Sequence, residues 1–130
     1  MMPHLAQAKL TNGPPALEQL LVYCADQYPL ASSWFSPVGA PSAVVLMASA
    51  LGVPRRLYFA YCEYLASQGL AAAAFDYRGI GDSLPPPGLE TTIDFASWGR
   101  LDIDAMIRAA VSRHPGVAVY LVGHSCGGQL

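Results

Sequence analysis

Gly123-His124-Ser125-Cys126-Gly127 sets a serine between two glycines, one two residues before it and one two residues after. A serine hydroxyl attacks a carbonyl carbon once a neighbouring base takes its proton, so the chemistry on offer is acyl transfer. The glycines have a physical reason. Where a strand turns sharply into a helix, the apex residue is strained, and its neighbours two positions away must be small for strand and helix to pass closely. The apolar run Val117-Ala118-Val119-Tyr120-Leu121-Val122 directly precedes the pattern, as the strand of such a turn requires. The oxyanion formed on acylation needs backbone donors. In this arrangement one is the N–H of the residue after the nucleophile, here Cys126. The Cys126 thiol is not needed for that role, and no histidine partners it.

A base for Ser125 is harder to place. The chain has three histidines. His4 lies near the N-terminus. His114 precedes the strand whose far end carries Ser125, so the strand's whole length separates the two. His124 adjoins Ser125 but points away in a sharp turn, and reads as a residue that shapes that turn. In strand-turn-helix hydrolases the acid and the histidine follow the serine in the chain. Here Cys126, Gly127, Gly128, Gln129 and Leu130 follow it.

The elements that must position Ser125 can be read outward from it. Residues 43–48 and 70–75 are continuous apolar runs, the pattern of strands buried on both faces of a parallel sheet. Residues 56–68 carry Leu57, Ala60, Tyr61, Tyr64 and Leu65 at helical spacing, and Gly69 is placed to end that helix. Residues 95–113 form a longer helix with Trp98, Leu101, Asp102, Ala105, Met106, Ala109 and Ala110 near one face, closed by His114-Pro115-Gly116. Asp102 and Asp104 are expected in solvated or capping roles. Leu20-Leu21-Val22-Tyr23-Cys24 is a strand with a possible partner over residues 28–34, where Tyr28-Pro29 argues for a sheet edge. Residues 1–18, with Gly13-Pro14-Pro15, read as a leader or tail, and residues 19–130 as one partial α/β domain.

Composition excludes several classes. The net charge is −2 and the seven Lys and Arg residues are scattered, so no basic footprint for nucleic acid is present. No apolar run reaches the roughly 18 residues that span a bilayer, and residues 1–10 lack the apolar stretch of a signal peptide, which makes the cytoplasm the default location. Cys24, Cys62 and Cys126 fit no zinc or redox spacing. Gly79-Ile80-Gly81-Asp82-Ser83-Leu84 fails as a dinucleotide site, because its third glycine is Leu84 and prolines stand where a helix should begin. No cofactor or metal is expected. Charged residues make up 12% of the chain, against about a quarter in soluble domains. That deficit fits a piece whose surface packs against further sequence.

Phe75-Asp76-Tyr77-Arg78-Gly79-Ile80-Gly81-Asp82-Ser83, the loop before Tyr58, the helix bearing Trp98, Asp102 and Asp104, and Gly123-His124-Ser125-Cys126-Gly127-Gly128-Gln129 together resemble α/β-hydrolases of the serine-aminopeptidase and monoacylglycerol-lipase-like group, with the nearest likeness to bacterial predicted hydrolases. The resemblance covers about residues 20–130. It implies the N-terminal half of an α/β-hydrolase fold, a mostly parallel sheet with flanking helices, truncated just after the nucleophile elbow. It also implies hydrolysis of a small-molecule carboxylic ester, thioester or amide through an acyl-Ser125 intermediate. Counted back from Tyr58, Ser49-Ala50-Leu51-Gly52 occupies the family's H-G-x-G loop, so the resemblance gives the second oxyanion N–H to Leu51. Ser49 and Ala50 depart from that motif. Asp76 and Arg78 are expected to tie their loop to the scaffold. The chain alone is expected to be inactive until a C-terminal half supplies the acid and the histidine. The rival reading is a non-catalytic remnant or interaction module of the same fold.

Overall fold

The computed structural model of the chain describes residues 16–130, which leaves His4 and most of the expected leader outside them. Five strands form one mixed sheet in the order β1-β2-β4-β3-β5, with β1 at Ala16–Tyr23, β2 at Pro29–Ser36, β3 at Ala43–Ala48, β4 at Ala71–Phe75 and β5 at Ala118–Gly123. β1 and β2 are antiparallel, and so are β2 and β4, whereas β3 runs parallel to both β4 and β5. The expected α/β architecture is present, with an antiparallel hairpin at one side.

Two details of that hairpin differ from the sequence reading. β1 begins at Ala16, inside the segment read as leader, because ladder pairing continues past the apolar run: Ala16 faces Ser36 and Glu18 faces Trp34. β2 is an inner strand, not an edge. Pro29 is tolerated there because it is the strand's first residue, opposite Tyr23, the last of β1.

All residues of β3 and β4 are buried, as their unbroken apolar runs require. One sheet face packs Leu46, Ala48, Ala73 and Phe75 against Trp98, Ile103, Met106 and Ala110 of the second helical segment. The other packs Phe35, Val45, Met47 and Ala74 against α1 (Phe59–Ser67), which follows a 3-10 turn at Arg55–Tyr58. The buried stripe of α1 is Cys62, Leu65 and Ala66, with Phe59 beside it. Leu57, Ala60, Tyr61 and Tyr64, expected to face inward, are exposed. The segment is apolar on nearly every side, so periodicity could not choose a face. Gly69, at φ +89°, closes α1: its N–H donates to Ala66 O, and the N–H of Leu70 reaches back to Leu65 O.

The second segment runs from a helical turn at Phe95–Ser97 through a π-helical turn at Trp98–Asp102 into α2 (Ile103–Arg113). Asp94 caps its start by accepting the Ser97 N–H at 2.7 Å. The π turn adds a residue to one helical turn, which brings Ile103 into the core beside the expected Trp98, Ala105, Met106 and Ala110.

The polar loop after β4 is locked from both sides. Asp76 accepts the backbone N–H of Arg55, the Arg55 guanidinium and the N–H of Asp82. Arg78 is fully buried and donates to Asp26, Asp102 and Thr92. Asp102 is therefore not a solvated residue. It is wholly buried, accepting the Arg78 backbone N–H and Nε–H at 2.8 Å each and the Cys24 thiol. Burial pushes its carboxyl up and the Arg78 donors draw it back down. Asp104, on the exposed side of α2, pairs with Arg108 at the solvated surface.

Candidate functional site

β5 ends at Gly123, and a 3-10 helix takes over at Ser125–Gln129. At the start of that helix Ser125 holds φ +57°, one of two non-glycine residues with positive φ among those described. A serine in that region costs about 1–3 kcal/mol, and the surroundings must hold it there. They do so by close approach. A Cβ on Gly123 would stand 2.4 Å from Gly128 Cα, and one on Gly127 would stand 2.1 Å from Ala48 O. The strand end is tied to β3, since the His124 N–H donates to Ala48 O at 3.0 Å, and the Gly127 N–H closes the turn on His124 O at 3.1 Å. Ser125 itself is exposed.

The loop after β3 lies against this turn. Cys126 Sγ sits 3.7 Å from Ser49 O. Ala50, Leu51, Gly52 and Val53 form a tight turn in which the Val53 N–H donates to Ala50 O at 3.1 Å and Gly52 takes φ +71°. Positive φ at the third position is the type II pattern, which leaves the N–H of the second residue, Leu51, without a partner in the turn. No acceptor among the described residues takes that N–H. The Leu51 side chain is 67% exposed, so its backbone, not its packing, is what this turn presents. The N–H of Cys126 lies in the first turn of its helix, where no preceding helical carbonyl is available. The structure thus brings Ser125, Cys126 and the Leu51 loop into one neighbourhood.

Ala50 is different. Its N–H donates to the Tyr58 hydroxyl at 3.0 Å and is already spent. The same hydroxyl lies 2.9 Å from His124 Nδ1, with the two rings edge to face. His124 Nδ1 is thus engaged by Tyr58. His114 caps the C-terminal end of α2, before β5, and burial next to Arg113 lowers its pKa. Among the described residues, neither makes a hydrogen bond to Ser125. Tyr58 was legible in sequence only as a counting mark. Its role needs the loop and the turn in contact, which no local pattern encodes.

Two hydroxyls near this region lack partners among the described residues: Ser49 Oγ and the Tyr77 OH, both buried. A cavity of about 540 Å³ is lined by Val22, Cys24, Asp104 and Arg108 and includes neither Ser125, Cys126, Leu51 nor Tyr58. The described residues contain no group of three or more His, Cys, Asp or Glu placed to hold a metal, and no helix long and apolar enough to cross a membrane.

A family model described as serine aminopeptidase, S33, matches residues 39–130. Among solved structures, the chain is similar to an α/β serine hydrolase without lid from Xanthomonas campestris, at 17% identity and a TM-score of 0.68 over 90% of this chain and 53% of that one. It is similar to an esterase from Pyrococcus furiosus, at 18% identity and a TM-score of 0.70 over 87% of this chain and 43% of that one. It is also similar to an epoxide hydrolase from Vigna radiata, at 24% identity and a TM-score of 0.67 over 87% of this chain and 32% of that one. At these identities the likeness establishes the fold, and the chain spans between about a third and half of each of these proteins.

Proposed function

The chain belongs to the serine aminopeptidase S33 family, and from that premise we propose that Ser125 is the nucleophile of a hydrolase acting on a carboxylic ester, thioester or amide. The observation that carries this reading is the strained Ser125 at φ +57°, held exposed at the end of β5 by glycines that admit no side chain. Strain of that kind persists where a hydroxyl must be presented. The Ser125 oxygen attacks the carbonyl carbon, its proton passes to a base, and the C=O electron pair moves onto oxygen. The N–H groups of Cys126 and Leu51 receive that oxyanion. Collapse expels the alcohol, thiol or amine, and water then releases the acid from the acyl-serine.

We assign the base and the acid that orients it to sequence outside the described residues 16–130. That assignment is supported by the engagement of His124 with Tyr58, by the far position of His114, and by the length of the solved relatives. The test compares this chain on a short-acyl p-nitrophenyl ester, alone and co-expressed with a C-terminal half from a related esterase that carries an acid and a histidine. Alone, it should turn over no faster than its Ser125→Ala variant. The complex should show turnover that Ser125→Ala abolishes. A soluble complex without Ser125-dependent turnover would leave the non-catalytic interaction module as the reading.

A further inference from the structure

We infer that Tyr58 is a positioning residue: its single hydroxyl clamps the loop carrying Leu51 to the turn carrying Ser125 and Cys126, and so fixes the spacing of the two oxyanion donors. The inference rests on the nucleophile and oxyanion assignments above and adds a residue to them.

The hydroxyl has two partners, from different elements. Ala50 N–H donates to it at 3.0 Å, and it lies 2.9 Å from His124 Nδ1. Because one of its lone pairs receives the Ala50 proton, the arrangement that leaves no proton unspent has Tyr58 donating to an unprotonated Nδ1, with the His124 proton on Nε2. Ala50 directly precedes Leu51, and His124 directly precedes Ser125. One oxygen is therefore tied to the residue before one donor, Leu51, and to the residue two before the other, Cys126.

The other links between loop and turn lie at their base. They are the His124 N–H on Ala48 O, the close approach of Gly127 to Ala48 and Ser49, and the contact of Cys126 Sγ with Ser49 O. Beyond Ser49 the loop swings out, and Leu51 and Gly52 are exposed. Tyr58 reaches that outer part from the 3-10 turn, where its ring is half-buried beside α1. Losing its hydroxyl would free Ala50 and allow the Leu51 N–H to move relative to the Cys126 N–H. Donors stabilise an oxyanion only when aimed where its charge develops, so the effect falls on the transition state and not on substrate binding.

The experiment uses the complex of this chain with a complementing C-terminal half. Tyr58→Phe keeps the ring and removes the oxygen. It should lower kcat by about tenfold or more while KM stays within about twofold, since one donor is loosened and not deleted. His124→Asn offers Oδ1 near the place of Nδ1 and should lose less kcat than His124→Ala. By NMR on the same samples, Tyr58→Phe should shift the His124 Nδ1 resonance and speed amide exchange at Ala50 by about tenfold. Unchanged kcat in Tyr58→Phe, or equal losses in the two His124 variants, would overturn the clamp. If the unsubstituted complex shows no Ser125-dependent turnover, the catalytic reading fails instead, and unchanged His124 and Ala50 signals in Tyr58→Phe would still sink the clamp on their own.

Discussion

At the scale of single residues, the site is built from backbone groups, which makes some substitutions unusually clean. Leu51 occupies the second position of a type II turn, where proline's fixed φ is at home. Leu51→Pro therefore deletes the proposed donor with little strain on the turn, and should lower kcat of the complemented complex by about 100-fold or more. Folding is checked by an unchanged far-UV spectrum, and an unchanged rate would remove Leu51 from the oxyanion hole. Ala50 could not take its place without giving up Tyr58. Tyr77 makes the opposite case. Its ring stacks on Trp98 at 4.8 Å and meets Phe75 edge on, but its buried hydroxyl has no partner among the described residues. An unmade buried hydrogen bond costs about 1–3 kcal/mol, so Tyr77→Phe should raise the melting temperature or leave it unchanged. A clear fall would show that the hydroxyl has a partner, such as an internal water.

At the scale of elements, the salt-linked loops decide how firmly the sheet's hairpin holds to its helices. Arg78 joins Asp26, in the turn after β1, to Asp102 at the end of the π turn. The Arg78 guanidinium holds the Asp26 carboxyl below its ordinary value. A depressed folded value means the stabilisation is fully present above the unfolded value of about 3.9 and is lost as pH falls through the folded one. Asp26→Asn should therefore melt below the unsubstituted complex at pH 7, with the gap closing as pH drops under about 4. A gap that stays constant would assign the loss to packing and not to charge. These elements were unevenly legible in the sequence. β3, β4 and the helical segment over residues 95–113 declared themselves, because burial on both faces and a sustained helical stripe leave a local pattern. The face of α1 did not, since Leu57, Tyr61 and Tyr64 are as apolar as the residues that pack. Asp102 misled because its partner Arg78 is distant in sequence, and a carboxylate buried by a long-range ion pair looks locally like a surface one. Ser125 was legible from its glycines, whereas the Tyr58 clamp joins three separate segments.

At the scale of the whole molecule, one surface conflicts with the rest. β3 and β4 are buried throughout, but the next strand of the same sheet, β5, leaves Tyr120 at 59% and Leu121 at 43% exposed, and Val122 is open too. Successive residues of a strand point to opposite faces, so exposure of Tyr120 and Leu121 leaves both faces of β5 open toward its C-terminal end, whereas Val119 still packs partly on the core. Its outer edge also carries no strand partner among the described residues. A flat apolar edge with free N–H and C=O groups is a template for pairing with other chains. The exposed Leu57, in the 3-10 turn before α1, and Tyr61 and Tyr64, on α1, add a second apolar strip. Residues 1–130 expressed alone should therefore aggregate, or stay molten with broad melting, and co-expression with a complementing C-terminal half should convert them to a soluble species that melts cooperatively. Thiol labelling reports the difference independently. Burial holds the Cys24 and Cys62 thiols up at about 12, with the Asp102 charge adding to Cys24, so in the packed complex both should resist iodoacetamide at pH 8. In a molten chain they should react. A monomer that melts sharply and protects both thiols without any partner would show that the open faces of β5 are tolerated, and would remove the main structural argument for a second half.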